Sequence, residues 1–290
     1  MDKYNSLVDR FLKFIKNFFR GSLPLMKLYD HQKAGVQAVL EGLQRHKAFL
    51  LCDDAGLGKT IQALSVVQAL NLKEPTLVVA PPQCIHIWSQ GDAVKYFGNY
   101  FRIVAYIGAE GASAVNLTKG NNLIVTSYET LLSLYRGYIC DKMDVGLLTN
   151  NEMLRLCHIH NVDVKRWEHL SGDNLRRELI TATRTLPYKK TGNMNRSAAN
   201  KLLGVQWGLI ICDEVHKIKN GGGALCEAVA FLQSNYRLGL TGTPMMNSAD
   251  DLLSIMRYGL CMFHVTRETI YNYRHLMLRR TKEDVSEQLA

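Results

Sequence analysis

The residues best suited to chemistry lie in a glycine-bearing loop that joins a predicted strand, residues 49–52, to a helical pattern that begins at Ile61. Glycines let backbone N–H groups close around phosphate oxygens, and a helix that starts at such a loop turns its positive end toward the same anion. The order of strand, glycine loop, lysine, threonine and helix is typical of a phosphate-binding loop. The predicted loop consists of Asp53, Asp54, Ala55, Gly56, Leu57, Gly58, Lys59 and Thr60.

Two side chains of this loop are suited to a nucleotide. Lys59 would bring a positive charge to the β- and γ-phosphates, and Thr60 would offer a hydroxyl to Mg²⁺. The common signature G-x-x-x-x-G-K-[ST] requires glycine where this chain has Asp53. An ordinary glycine turn between a strand and a helix is therefore the alternative that the loop leaves open when it is considered alone.

A second chemical centre follows the apolar strand predicted at residues 207–212, which ends in Asp213 and Glu214. Two adjacent carboxylates at the end of a buried strand are unfavourable unless they have a function. Asp213 could hold Mg²⁺, directly or through water, while Glu214 could orient and deprotonate an attacking water. The alternative is a surface pair that caps the next helix. The loop upstream weakens that alternative, because ATP hydrolysis needs both parts.

Two weaker signals accompany these centres. The segment Thr241-Gly242-Thr243-Pro244 follows a predicted strand and could sense the γ-phosphate, although in isolation it indicates only a turn. Gln32 lies upstream of the phosphate loop at the start of a helical pattern, with Asp30 as the predicted N-cap. Its amide offers a donor and an acceptor together, so it could read the edge of adenine.

The elements that must position these residues alternate along the chain. Alternating strands and helices predict an α/β fold, with a parallel sheet covered by helices on both faces. Ligands are then expected at the carboxyl ends of the strands. Strands are predicted at residues 49–52, 76–80, 103–107, 123–127, 207–212 and 236–240, and helices over a run that ends at Leu43, over 61–70 and over 85–97.

Composition limits the class of protein. A chain of 290 residues with 47% hydrophobic residues can bury a full core, and its formal net charge of +9 favours either a polyanionic partner or plain solvation. No apolar run approaches the roughly 18 residues needed to span a bilayer, and no secretory signal is evident. Seven scattered cysteines predict buried thiols in a reducing, intracellular compartment. The Cys and His residues between 157 and 169 do not match a zinc spacing, so no zinc is expected.

Two segments fall outside the alternation. Residues 1–24 are predicted to form a basic amphipathic helix and a linker, with the helix packed on this domain or on a missing one, or else on a membrane or a partner. Residues 132–205 are polar and rich in Lys, Arg and Asn, and we interpret them as an irregular insertion on the rim of the domain. Residues 25–290 would then form one domain.

Seven ordered motifs between residues 28 and 285 resemble those of Swi/Snf-type ATPases in helicase superfamily two. That family carries D-E-x-G-L-G-K-T-x-Q at the phosphate loop, so the absence of the first glycine is expected. Departures from its pattern are Asp54, Ala55 and Val215. The other motifs are residues 29–32, residues 77–81 with Trp88 downstream, and residues 125–129, 213–220, 240–247 and 277–285.

The resemblance implies a RecA-like lobe, the first of two, with ATP and Mg²⁺ as cofactors and double-stranded DNA as partner. It implies that Gln32 and the loop from Asp53 to Thr60 bind the nucleotide, and that Thr60 and Asp213 hold Mg²⁺. Catalysis would involve Lys59, Asp213 and Glu214. Contacts with DNA phosphates are expected at Pro81, Thr126 and Ser127. Residues that couple ATP hydrolysis to the action on DNA are expected at His216, Thr241, Gly242 and Thr243.

The expected function is that of a DNA-stimulated ATPase that translocates on double-stranded DNA and remodels protein–DNA complexes in transcription, repair or recombination. Some members of the family occur in large DNA viruses, and the nucleus is the expected location if the source is eukaryotic or a virus that replicates there. The chain ends after the first lobe, so it is expected to turn over slowly by itself.

Three alternatives stay open. The chain could be half of a split enzyme with a separate second lobe, or a regulatory module that holds nucleotide or DNA without turnover. It could also be a strand-separating member of a neighbouring group of superfamily two. The sequences G-L-G-K-T-I-Q and M-L-R-R-T-K argue against that last alternative.

Overall fold

Seven parallel strands form the sheet around which the computed structural model is organised. The structure describes residues 28–107, 121–145, 148–184, 186, 202–218, 223–244 and 248–286. The predicted N-terminal helix and linker, residues 1–24, lie outside the described residues. So do residues 187–201 of the predicted insertion, and residues 219–220 and 245–247 of two motifs.

All six predicted strands are present, and a short seventh strand lies at one edge of the sheet. The order across the sheet is β3-β4-β2-β5-β6-β1-β7. β6 begins three residues before its predicted start, because its polar first residues continue the pairing with β5. The strands are β1 (Ala48–Leu51), β2 (Thr76–Ala80), β3 (Arg102–Tyr106), β4 (Asn122–Ser127), β5 (Gln206–Cys212), β6 (Gln233–Leu240) and β7 (Met277–Leu278).

Side chains of the central strands alternate between two buried clusters on opposite faces of the sheet. On β1, Leu50 belongs to one cluster, whereas Phe49 and Leu51 belong to the other. On β5, Ile210 and Ile211 divide in the same way. Because successive side chains of a strand point to opposite faces, a strand that is apolar throughout must be covered on both sides. This arrangement confirms the predicted α/β architecture.

Helices supply that cover. Buried residues of α1–α4 belong to the cluster that contains Phe49, and buried residues of α5–α9 belong to the cluster that contains Leu50. None of the described helices is both long and apolar enough to cross a membrane. The helices are α1 (Asp30–His46), α2 (Lys59–Leu70), α3 (Ile85–Ser89), α4 (Asp92–Phe97), α5 (Tyr128–Val145), α6 (Asn150–Ile159), α7 (Gly172–Arg184), α8 (Ala224–Phe231) and α9 (Ala249–Ser254).

The helix predicted over residues 85–97 is wrong in one respect, because the structure divides it into α3 and α4. The backbone N–H groups of Gln90 and Gly91 both donate to the carbonyl of His86, at 2.9 and 2.8 Å. Hydrogen bonds that share one group between two partners are common where a helix ends. Gly91 is then the N-cap residue of a second helix.

The interpretation of residues 132–205 as an irregular rim segment is wrong for most of the described part. These residues include most of α5 and all of α6 and α7, and their apolar side chains join the cluster on one face of the sheet. Thr149 and Glu152 cap the start of α6 reciprocally. Arg155 donates to the carbonyls of Ala230 and Leu232, at 3.1 and 2.8 Å, and so attaches α6 to the end of α8. The segment is part of the core.

This correction makes a prediction about stability. Leu156 on α6 is fully buried, so Leu156→Ala should lower the free energy of unfolding by about 2–5 kcal/mol through lost burial and a cavity. The measurement is urea unfolding followed by circular dichroism. Glu178→Ala, on the exposed face of α7, is the control and should stay within about 0.5 kcal/mol of the unmodified protein. Equal stability of all three proteins would mean that the segment is only an appendage.

Candidate functional site

The predicted site residues converge because their strands are neighbours and end at the same edge of the sheet. The order β5-β6-β1-β7 places Asp213, Thr241, the phosphate loop and Arg280 after adjacent strands. The pairing continues past the strand ends: Thr241 N–H donates to the carbonyl of Leu51 at 3.1 Å. The topology therefore assembles one site from segments far apart in the sequence.

The phosphate loop depends on two glycines with left-handed backbone. Gly56 has φ +93° and Gly58 has φ +77°, values that favour glycine over residues with a Cβ. A Cβ at Gly58 would also lie only 2.4 Å from Nε2 of Gln32. Gly58 is the N-cap residue of α2, so the loop ends where the positive end of that helix begins. This geometry fits the predicted phosphate loop, and anion binding by the loop stays a prediction.

Lys59 and Thr60 begin α2 at the mouth of this loop. The Lys59 ammonium donates to the carbonyl oxygens of Asp53 at 2.6 Å and of Asp54 at 3.2 Å. A Cβ on Gly242 would lie 3.8 Å from the same ammonium. The Lys59 charge is thus held between the phosphate loop and the segment that follows β6, where the resemblance places the phosphates.

Gln32 was predicted to read adenine, and the structure places its side chain against the phosphate loop. Nε2 of Gln32 lies 3.5 Å from the carbonyl of Leu57, and Oε1 accepts the N–H of Tyr29 at 3.1 Å. This bond identifies Tyr29 as the N-cap position, so the prediction of Asp30 as N-cap is wrong: Asp30 is the first residue of α1. Adenine recognition by Gln32 stays a prediction.

Asp53 was predicted to bind the nucleotide, but its carboxylate has a different position. The side chain is fully buried and accepts two bonds from the Arg280 guanidinium, Nε to Oδ1 at 3.0 Å and Nη2 to Oδ2 at 2.5 Å. Gln62 Nε2 donates to Oδ2 as well, at 3.1 Å. Both carboxylate oxygens are therefore occupied by protein groups, and Asp53 supports the loop from beneath.

The buried network around Asp53 joins four segments. Arg280 also donates to the backbone carbonyl of His31 on α1 and, through Nη2, to Oε1 of Gln62 on α2 at 3.1 Å. Gln62 reaches the loop itself through the carbonyl of Leu57 at 3.2 Å. Gly35 leaves the necessary room, because a Cβ there would lie 1.9 Å from Oε1 of Gln62. The sequence motifs contain Gln62 and Arg280, but nothing in their pattern showed that they meet.

The Asp213 carboxylate is fixed in orientation by two donors. Trp88 Nε1 donates to Oδ2 at 2.8 Å and the backbone N–H of Glu214 donates to Oδ1 at 3.0 Å. Tyr128 adds a bond from its hydroxyl to the backbone carbonyl of Asp213 at 2.8 Å. Burial raises the pKa of Asp213 above its ordinary value, and the bond from Trp88 opposes that rise. Trp88 and Tyr128 belong to matched motifs, yet sequence reasoning gave neither a role at Asp213.

Glu214, His216 and Thr241 form a chain of contacts beside Asp213. His216 Nδ1 lies 3.2 Å from Oε2 of Glu214 and 2.9 Å from Oγ1 of Thr241. Thr241 Oγ1 also accepts the backbone N–H of Thr243 at 3.1 Å. Glu214 has φ +48°, an unusual value for a residue with a side chain, and such strain often occurs at functional sites. The segments after β5 and β6 are thus connected directly.

The oxygen atoms of this site fit Mg²⁺. Thr60 offers a hydroxyl with no hydrogen-bond partner in the described part of the chain, and each Asp213 oxygen accepts one bond and keeps a second lone pair. Hard cations such as Mg²⁺ prefer oxygen ligands and keep several waters, so two protein ligands are sufficient. Over the described ranges there is no group of three or more His, Cys, Asp or Glu side chains suited to a metal ion.

The three residues predicted to contact DNA have buried side chains, and their contact with DNA stays a prediction. The Thr126 hydroxyl donates to the carbonyl of Tyr106 at 2.9 Å. Ser127 caps α5, since its hydroxyl accepts the N–H of Thr130 at 3.0 Å. Pro81 follows directly after β2. These side chains therefore shape the edge of the sheet, and any contact with DNA must come from the backbone or from exposed neighbours.

Cys and His residues of the segment 132–205 contact other parts of the protein. Cys157 is buried in the core, the ring of His158 stacks on Phe263 with centroids 5.9 Å apart, and His160 lies 3.7 Å from the Glu227 carboxylate. None of the cysteines whose side chains are described forms a disulfide.

Comparisons with known proteins agree with this geometry. The model of the SNF2-related domain matches residues 31–272. The chain is 24% identical over 241 residues to the DNA excision repair protein CSB of Oryza sativa subsp. japonica, covering 80% of this chain and 17% of that protein. It is 23% identical over 284 residues to the chromodomain-helicase-DNA-binding protein 8 of Xenopus tropicalis, covering 91% of this chain and 11% of that protein.

A solved structure shares the fold. The SWI2/SNF2 ATPase core of Sulfolobus solfataricus in complex with double-stranded DNA superposes with a TM-score of 0.56 at 22% identity, covering 90% of this chain and 46% of that one. The chain therefore spans less than half of that structure and less than a fifth of the two relatives.

The buried Asp53–Arg280 pair makes a prediction that does not depend on function. Arg280→Gln should lower the free energy of unfolding by about 3–5 kcal/mol, because it leaves a buried carboxylate without its cation. Arg267→Gln is the matched control: Arg267 also binds an aspartate, Asp250, through two bonds of 2.6 Å, but that pair is exposed. Its loss should change stability by no more than about 1 kcal/mol. Equal effects of the two substitutions in urea unfolding would refute a structural role for Arg280.

Proposed function

The chain belongs to the SNF2-related domain family, and we propose that it is the ATP-binding lobe of a DNA-dependent ATPase that translocates on double-stranded DNA and remodels protein–DNA complexes. The observation that carries this proposal is the convergence of an anion-binding loop, a buried carboxylate and a Glu-His-Thr chain at one edge of the sheet. Phosphate binding and water activation both need those parts, and they must be adjacent. The names of the relatives, which include excision repair and chromodomain proteins, support an action on DNA.

The residues divide the chemistry between binding and proton transfer. Backbone N–H groups of the phosphate loop and the Lys59 ammonium would hold the phosphates and stabilise the charge that develops on them. Thr60 and Asp213 would hold Mg²⁺, which when bound neutralises negative charge between the β- and γ-phosphates. Glu214 would accept a proton from the water whose oxygen attacks the γ-phosphorus. Gln32 would read the adenine.

The contact chain from Glu214 through His216 to Thr241 supports coupling of hydrolysis to movement. The Thr243 N–H donates to Oγ1 of Thr241 at 3.1 Å, and Nδ1 of His216 lies 2.9 Å from the same oxygen. A change at the γ-phosphate that displaces Gly242 would therefore alter the environment of Glu214. We propose that His216, Thr241, Gly242 and Thr243 transmit the state of the nucleotide in this way.

DNA would bind along the edge formed by the segments after β2 and β4. Exposed polar residues lie there, among them Gln83 and His86, and α5 begins at the same edge with its positive end. The net charge of +9 agrees with a polyanionic partner. Such work would place the protein with nuclear DNA in a eukaryotic cell.

Fast hydrolysis would require further positive groups opposite the γ-phosphate, which in this class of enzyme come from a second lobe. We propose that residues 1–290 bind ATP by themselves and turn it over slowly, and that a second lobe, in the same or another polypeptide, completes the cleft. A purely regulatory, non-hydrolysing module is the second candidate. The ground for it is that the chain is only 22–23% identical to the relatives whose names print a helicase or an ATPase.

Nucleotide binding and turnover of the purified chain test this proposal. Lys59→Ala should weaken ATP binding at least tenfold, because the cation at the phosphates is lost. Lys73→Ala is the control and should leave ATP binding unchanged, because Lys73 is exposed and lies before β2.

Glu214→Gln should keep ATP binding and abolish turnover. Turnover should rise on addition of double-stranded DNA and a second-lobe polypeptide, measured at low salt because phosphate contacts weaken steeply with salt.

Two results would contradict the proposal. Unchanged ATP affinity in Lys59→Ala would refute the phosphate-binding role of the loop. ATP binding without turnover under every condition, with Glu214→Gln indistinguishable from the unmodified chain, would favour the regulatory module.

The raised pKa of Asp213 makes a prediction about pH. Asp213 must be ionised to hold Mg²⁺, so activity should fall as the pH drops through the raised pKa. Trp88→Phe removes a donor to the ionised carboxylate, which should raise the pKa further and move the acid limb of kcat/KM to higher pH. Trp207→Phe is the control, since Trp207 is equally buried but donates to the carbonyl of Leu202. Coincident acid limbs for all three proteins would exclude Asp213 as the titrating group.

A further inference from the structure

A second lysine lies beside Gly56 of the phosphate loop. A Cβ built on Gly56 would lie 3.7 Å from Cε and 3.9 Å from Nζ of Lys282. The Lys282 side chain is exposed, and its ammonium has no hydrogen-bond or ion-pair partner within the part of the chain that the structure describes. An unpaired positive charge therefore lies within 4 Å of a position in a loop built to bind an anion.

The position of Lys282 is fixed by its backbone. Cys52 N–H donates to the carbonyl of Leu278 at 2.7 Å, and Asp54 N–H donates to the carbonyl of Arg280 at 2.9 Å. The segment after β7 thus continues the pairing of β1 with β7 alongside the loop. Lys282 N–H then donates to Oδ2 of Asp54 at 3.3 Å. Two residues earlier, the Arg280 side chain is anchored on Asp53.

Solvation alone is the ordinary explanation for an exposed lysine. Two observations favour a ligand at this lysine. The Asp54 carboxylate accepts the backbone N–H of Lys282 at 3.3 Å and forms no ion pair with its ammonium, which stays available to an anion. The stem of Lys282 lies over Gly56, whereas Lys59 approaches the same loop from the side of Gly242. The two ammonium groups therefore lie near different glycines, Lys282 near Gly56 and Lys59 near Gly242.

We infer that Lys282 is a second nucleotide-binding cation, which contacts phosphate oxygens of ATP from beside Gly56. This inference rests on the proposed ATP-binding function. Lys282 would add affinity for the phosphates without taking part in proton transfer, because Glu214 and Asp213 lie after β5, two strands away from β1. Its backbone anchors on Asp54 would hold it close to the loop before the nucleotide arrives, and so reduce the entropy lost on binding.

Titration of the whole chain with a fluorescent ATP analogue tests this inference. Lys282→Met removes the charge and keeps the length of the stem, and it should raise the Kd about three- to tenfold, as expected for one charge-assisted contact. Lys282→Arg should bring the Kd back to within about twofold of the unmodified protein, because the charge returns. Lys165→Met is the control at an exposed lysine next to the buried Trp167, and it should leave the Kd unchanged.

A second readout separates a phosphate contact from a structural effect. The Kd of the unmodified protein should rise with salt more steeply than that of Lys282→Met, because that variant has lost one screened charge interaction. The melting temperatures of the two proteins should agree. A lower melting temperature of Lys282→Met with an unchanged salt dependence would mean that Lys282 stabilises the loop instead, and the inference would be wrong.

The remaining outcomes also decide the question. If Lys59→Ala loses ATP binding while Lys282→Met retains the full affinity, the proposed function stands and the role of Lys282 is refuted. If Lys59→Ala and Lys282→Met both bind as the unmodified chain does, or if the unmodified chain binds no nucleotide, the phosphate-loop assignment fails and the inference about Lys282 fails with it.

Discussion

The site depends on one buried ion pair. The Asp53 carboxylate lies at 0% exposure at the base of the phosphate loop, and the Arg280 guanidinium meets it with two bonds. A buried charge is tolerated only when it is paired and hydrogen-bonded, so the chain must bring β7 beside β1. The same guanidinium reaches His31 and Gln62. The conformation of the loop is thereby tied to α1, α2 and the segment after the last strand.

Environment separates the two adjacent carboxylates after β5. Asp213 is buried between Trp88 and the sheet, which fixes its orientation and raises its pKa, whereas Glu214 is partly exposed and contacts His216. Neighbouring acids in different environments can take different roles. Here the fixed, buried acid suits metal binding and the accessible one suits proton transfer. Glu214 also has a positive φ of +48°, unlike the residues of the strand before it.

The sequence predicted the strands well, because apolar runs are local, and it marked the loop that carries Lys59 by a local glycine-lysine pattern. It could not show contacts that depend on a distant partner. The guanidinium that binds Asp53 lies 227 positions away, and burial of the Thr126 hydroxyl depends on β3. The error over α6 had another origin. Thr149 and Glu152 carry the spacing of a capping box, a local pattern that marks the start of a helix, and the interpretation of residues 132–205 as irregular left that pattern out.

Arg280 should act on the nucleotide site through Asp53. A double-mutant cycle measured on the ATP Kd tests this role, with Asp53→Asn, Arg280→Gln and the combined variant compared at a temperature where circular dichroism shows all of them folded. The combined variant should bind ATP no more weakly than the weaker single variant, because each change breaks the same pair. Losses of affinity that simply add would contradict it, since the two residues would then act independently.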